Sequence, residues 1–184
     1  VAMFGTYQIA ANGVAQSIWS LAALVGSAMG PVFITVIGQC MGAKDVDQAK
    51  FYFSKLIKWS LVFSIVWNVL VLAITPFILQ FYADETKHLI IILVIIHNIA
   101  NTVVFPLSGP LSQGLRATGD VKFTMIVSIA STVGGRLVLS IILALGLHLG
   151  VIGIALAMCG DWTIRAIIFY YRYKSNAWTK FEVI

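Results

Sequence analysis

The clearest pattern along this chain is where charge is missing. No Asp, Glu, Lys or Arg occurs from Val1 to Ala43, from Trp59 to Ala83, or from Leu89 to Leu115. After Lys122 the chain is uncharged to Gly135, and again from Leu137 to Gly160. Apolar residues fill these windows in solid runs, not in the alternation of a barrel strand. Runs of about 20 apolar residues cross a bilayer as helices, which satisfy every backbone polar group within the element. The pattern predicts an all-α membrane protein with five transmembrane helices, at roughly 9–40, 53–82, 88–113, 122–147 and 149–172, then a tail over 173–184.

Composition sharpens the class. Of the 184 residues, 60% are hydrophobic and 10% charged, against about 45–50% and about 25% in soluble domains. A soluble enzyme, a nucleic-acid-binding module and a disordered tail all fit poorly; the bilayer is the first partner. The +5 net charge is a matter of topology. Five spans put Lys44, Lys50, Lys55, Lys58, Arg116, Lys122, Arg172, Lys174 and Lys180 on one side and Lys87 alone on the other. Basic loops stay inside, so the C-terminus is expected to be cytoplasmic. A signal peptide does not fit the first run, which lacks a basic leader and is too long. The chain starts with Val and reads as a piece whose upstream part is missing. Cys40 and Cys159 are far apart and form neither a metal spacing nor a disulfide framework.

Polar residues inside the spans carry the candidate chemistry. Gln8, Asn12, Gln16 and Ser20 recur every four residues on one helix face. Such a stripe either lines a water-filled cavity or binds neighbouring helices together. Gly26, Gly30, Gly38 and Gly42 repeat at four or eight, a spacing that lets helices approach closely, and Pro31 between them should kink the helix. The third span holds His97, Asn98 and Asn101, followed by Pro106 and Pro110. His97 is either a proton relay or a neutral hydrogen-bonded ring. The two prolines each remove a helical hydrogen bond and allow a hinge or a static kink. Arg136, Asp161 and Arg165 form an intramembrane charge cluster if the last two spans make a hairpin about His148. Asp161 and Arg165 stand four apart in the favourable order. The cluster is either a structural bridge or an ion relay. Two bases against one acid keep the acid ionised, which argues against a proton carrier.

Two loop motifs end spans one and three. They are Val36-Ile37-Gly38-Gln39-Cys40-Met41-Gly42-Ala43-Lys44 and Gln113-Gly114-Leu115-Arg116-Ala117-Thr118-Gly119-Asp120. Gly42 and Gly119 suit helix ends and tight turns. Asp120 suits the cap of the next helix, with Arg116 in reach across the turn. With the Ala10-Ala11-Asn12 stretch and the RYKSNAW tail, this combination resembles the multidrug and toxic compound extrusion (MATE) family over nearly the whole chain, and looks like its C-terminal half.

The resemblance implies most of one six-helix lobe of a twelve-helix transporter. Such a protein exports drugs or organic cations in exchange for Na⁺ or H⁺ by alternating access, and the N-terminal lobe is the missing partner. No cofactor is implied beyond the coupling ion. A plasma (inner) membrane location follows from the family. Asn12, Gln16, Ser20, Asn98 and Asn101 are the cavity-lining candidates; Gly38, Gln39, Gly42, Arg116, Gly119 and Asp120 belong to the family loops. Some members carry an acidic cation ligand in the tenth helix; residues 101–105 hold no acid. A lipid-linked sugar flippase of the same superfamily, or a non-transporting five-span subunit, are the rival readings. An enzyme has the least support, since no nucleophile–base pair, metal cluster or phosphate loop is visible.

Overall fold

The computed structural model describes residues 5–82 and 84–181, so the end of the expected tail, from 182, lies outside the described residues. Among the described residues all regular structure is helical. Five stretches are long and apolar enough to cross a membrane: Leu24–Gly42, Val46–Leu79, Thr86–Ala117, Val121–Gly146 and Gly150–Lys174.

The expected first span is carried by two helices, α1 (Thr6–Ala22) and α2 (Leu24–Gly42), meeting at Ala23. The interruption falls there and not at Pro31, which sits inside α2. Both run antiparallel to the long α3 (Val46–Leu79). At the joint, Trp67 Nε1 donates to the Leu21 carbonyl at 2.8 Å and Asn68 Nδ2 to the Ala22 carbonyl at 3.4 Å. A broken helix leaves carbonyls needing partners in an apolar medium, and α3 supplies them. The turn into α3 closes on Lys44, whose φ is +59°. Asp45 then caps α3 by accepting from the Gln48 N–H at 2.9 Å.

The third span divides at Gly109 into α4 (Asp84–Ser108) and α5 (Pro110–Ala117). Pro110 cannot donate to the carbonyl of Pro106, and it serves well as the first residue of α5. Gly119 (φ +95°) turns the chain into α6 (Val121–Ala130). The fourth span continues as a π-wound segment, Ser131–Leu137, a short α7 (Val138–Ile141) and a second π segment, Ile142–Gly146. After a tight turn with left-handed His148 and Gly150, α8 (Gly150–Lys174) returns. Gly153 lets it come close: a Cβ there would lie 2.6 Å from the backbone nitrogen of Ala144. A 3₁₀ turn, Ala177–Lys180, ends the described chain.

The helix α4 is the centre of the bundle and packs on α1, α3 and α8. The fourth span packs mainly on α8 and leaves Ile126, Ile129, Val133, Leu137 and Ile141 exposed. That apolar surface suits lipid. Toward the basic loops the core is aromatic: Phe33, Phe53, Phe169 and Trp178 close around Leu111 and Leu115.

Candidate functional site

The polar stripe on α1 does not behave as one unit. Gln8 Oε1 accepts the backbone N–H of Val151 at 3.2 Å and so binds α1 to the start of α8. Three turns on, Trp19 stacks on Trp162 of α8 with ring centres 5.6 Å apart. Asn12 and Gln16 lie between these anchors on the same flank of α1, both half-buried. Neither side chain makes a hydrogen bond within the described residues. Ser20 is exposed, and its hydroxyl donates to the carbonyl of Ser17 on its own helix. Two carboxamides thus stand on an apolar helix with their hydrogen-bonding capacity unused.

A second polar group is buried inside the bundle. Ser60, Ser64 and Asn68 form a buried stripe on α3. Asn68 Nδ2 donates to Ser64 O at 2.8 Å, and Asn98 Nδ2 donates to Asn68 O at 3.3 Å. Asn98 and Asn101 are therefore within the lobe and not on its surface, because α4 is covered on three sides. Both amide atoms of Asn101, the Asn68 Oδ1 and the hydroxyls of Ser60 and Ser64 have no partner. His97 Nδ1 lies 2.8 Å from Leu93 O, its Nε2 is unpaired, and its ring sits 6.5 Å from that of Trp19. The sequence signal for Asn68 is an amide in the middle of an uncharged run.

The charge cluster has a different composition from the expected one. Asp161, fully buried, pairs with Arg165 one turn on and accepts the hydroxyl of Ser131 on its other oxygen. Arg136 makes no ion pair with it. Under α-helical spacing Arg136, 12 residues before His148, lies level with Asp161, 13 after it. The π segments close i→i+5 bonds and wind more residues into each turn, so each residue advances less along the axis. A residue farther from the turn, Ser131, therefore reaches the depth of Asp161.

The loop motifs also differ in detail. Asp120, only 2% exposed, begins α6 without a side-chain cap bond. Its carboxylate instead takes Arg172 of α8, with Nε at 2.7 Å and a terminal nitrogen at 3.3 Å. The Arg172 guanidinium also lies over the Phe123 ring at 4.4 Å. Arg116 does not pair with Asp120; its Nε donates to Thr124 Oγ1 at 3.3 Å. Gly42 ends α2 with ordinary helical geometry, since the left-handed turn residue is Lys44. Gly26 and Gly30 do give close approach, to Phe105 and Gln113, while a Cβ at Gly38 or Gly42 would meet nothing. Gln39 is exposed and lines a cleft with Gln48 and Tyr52. In the second motif Gly114 is the tight position: its Cβ would lie 2.6 Å from Phe53. Trp178 of the tail folds under the bundle, its Nε1 donating to Tyr173 O at 3.1 Å.

A bundle of apolar helices with unused polar groups and broken spans fits a transport protein better than a packed scaffold. The MatE family model matches residues 1–142. The chain belongs to the MatE family. A curated relative, "Uncharacterized transporter YisQ" of Bacillus subtilis (strain 168), is 25% identical over 186 residues and covers 97% of this chain. The chain spans 39% of that relative's length. No solved structure matches the chain. MatE membership and the relative's name point to a membrane transporter and not an enzyme. The MatE match includes α1 to α5 and most of the fourth span, and so takes in both loop motifs.

Proposed function

We propose that this chain forms most of the C-terminal lobe of a secondary active transporter that exports drugs or organic cations in exchange for Na⁺ or H⁺. The observation that carries the reading is the pair Asn12 and Gln16, half-exposed and without partners on an apolar helix. An unpaired carboxamide is costly in hydrocarbon, and a polar face on a membrane helix is retained where it borders water or another protein surface. In this reading it borders a central cavity closed by the N-terminal lobe. Neutral amides and the nearby aromatic rings suit a flat organic cation, held by stacking and hydrogen bonds. The interruptions at Ala23 and Gly109 are where two spans would bend as the cavity opens to alternate sides. Asp161 is occupied by Arg165 and Ser131, so the coupling carboxylate of this reading belongs to the remainder of the transporter. In this reading the protein lies in the plasma (inner) membrane, and the bias of basic residues toward one set of loops supports a cytoplasmic tail.

The test is efflux of an ethidium-type dye by the complete transporter in cells lacking their main pumps, with a Na⁺ or a H⁺ gradient imposed. The reading expects gradient-dependent efflux. Asn12→Leu with Gln16→Leu is expected to lower it about tenfold or more at unchanged abundance, as two lost hydrogen bonds would. Dye retained under both gradients, or efflux untouched by the double substitution, would remove the basis of the reading.

A further inference from the structure

Nearer the basic loops, α2, α4, α5, α6 and α8 line a separate, half-open cavity of about 310 Å³. Its wall carries two guanidinium groups, Arg116 and Arg165, with Gln113 and Ser128 beside them. The start of α5 at Gly109 also opens onto it. We infer that this cavity binds an anionic phosphate group.

The charge balance supports this. The carboxylate paired with a lining residue is Asp161, which already accepts from a terminal nitrogen of Arg165 and from Ser131, and Asp120 near Arg116 is taken by Arg172. The Arg165 Nε is buried without a partner. Arg116 spends only its Nε, on Thr124. Two cations against one anion leave an excess of positive charge beside the cleft. A guanidinium presents its donors as a planar fork that matches an oxyanion. The side chains of Gln113 and Ser128 make no hydrogen bond within the described residues and add uncharged donors. Ser108 and Ser112 also line the space, but their hydroxyls donate to Phe105 O at 3.2 Å and Gly109 O at 2.6 Å. Gly30 is what makes room for the Gln113 side chain. Several donors arranged about one space suit the several oxygens of a phosphate better than a halide ion. Free phosphate and a phospholipid headgroup share this chemistry. The inference does not depend on the organic-cation reading.

The complete transporter, purified into phosphatidylcholine discs with or without phosphatidylglycerol, tests it. Radiolabelled inorganic phosphate is titrated in, and bound phosphatidylglycerol is counted by native mass spectrometry. Arg116→Gln removes charge, Ser128→Leu fills the cavity, and Arg116→Lys keeps the charge; Arg165 is left alone because its loss would strand Asp161. Saturable binding of either probe is expected, weakened about tenfold by the first two variants and largely kept by the third. Phosphate bound in pure phosphatidylcholine identifies a soluble source. Phosphatidylglycerol bound without competition from phosphate identifies a headgroup. Binding of neither probe, or binding that Arg116→Gln and Ser128→Leu leave unchanged, overturns the inference.

Discussion

Two ion pairs have a partner on α8, and they are built differently. Asp161 and Arg165 stand one turn apart on the same helix, deep in the apolar layer, with Ser131 the cross-helix contact. Asp120 and Arg172 are 52 residues apart and join the α5–α6 turn to the end of α8 near the basic loops. The two pairs are almost equally shielded within the bundle, Arg165 and Arg172 being 20% and 25% exposed beside acids at 0% and 2%, and they differ in depth along the span and in the aromatic ring under Arg172. The first pair neutralises a charge within one helix and contributes little by itself to holding two helices together. The second fixes the position of one span against another. Depth sets the cost of breaking each, and span connectivity sets what comes apart.

The largest expected effect is at the deep pair. Asp161→Asn leaves Arg165 without its counter-charge in the apolar layer, and removing one partner of a buried pair costs about 3–5 kcal/mol. The expected outcome is a strong fall in membrane abundance of the complete transporter, measured by quantitative immunoblot. The double substitution Asp161→Asn with Arg165→Gln should recover most of it, because no unpaired charge remains. Normal abundance of the single variant with lost ion coupling would instead make Asp161 a coupling residue.

The pair at the basic end should respond more weakly. Asp120→Asn keeps the shape of the side chain and loses a charge-assisted contact worth about 1.5–3 kcal/mol, reduced by the water that reaches Arg172. The unfolding midpoint in detergent should fall, and the fall should shrink at high salt, since partly exposed pairs are screened. A salt-independent loss would mean that the contact is as sealed as the one at Asp161 and would erase the contrast.

The same contrast separates what could be read in the sequence from what could not. The five spans were legible because uncharged runs of this length have one physical solution in a bilayer. The Asp161–Arg165 pair was legible because both partners belong to one helix and obey the i, i+4 rule. The Asp120–Arg172 pair was not, since the hydrogen-bonding capacity of Asp120 pointed equally to a local cap or to Arg116. Long-range choices among local alternatives are made by packing, here by α8 passing beside the α5–α6 turn. The division of the α1 stripe had the same cause. Gln8 met the start of α8, and Asn12 and Gln16 met no partner, though all four positions look alike along the helix. Asn68 and Trp67 serve the joint at Ala23, a break that Pro31 does not mark.

Arg136 is where the sequence count went furthest from the fold, and it supports the smallest and most discriminating prediction. Under uniform α-helical spacing it would share Asp161 with Arg165, and Arg136→Gln would then cost a few kcal/mol, as for any broken buried pair. With Ser131 and Gly135 in π-wound backbone, Ser131 occupies that place and Arg136 is half-buried beyond it. Arg136→Gln should therefore change the unfolding midpoint by the equivalent of less than about 1 kcal/mol. Ser131→Ala should cost more, about 1–2 kcal/mol, because it takes a hydrogen bond from a buried carboxylate. The order of the two variants carries the argument: a larger loss at Arg136 than at Ser131 would restore the α-helical register and return Arg136 to the cluster.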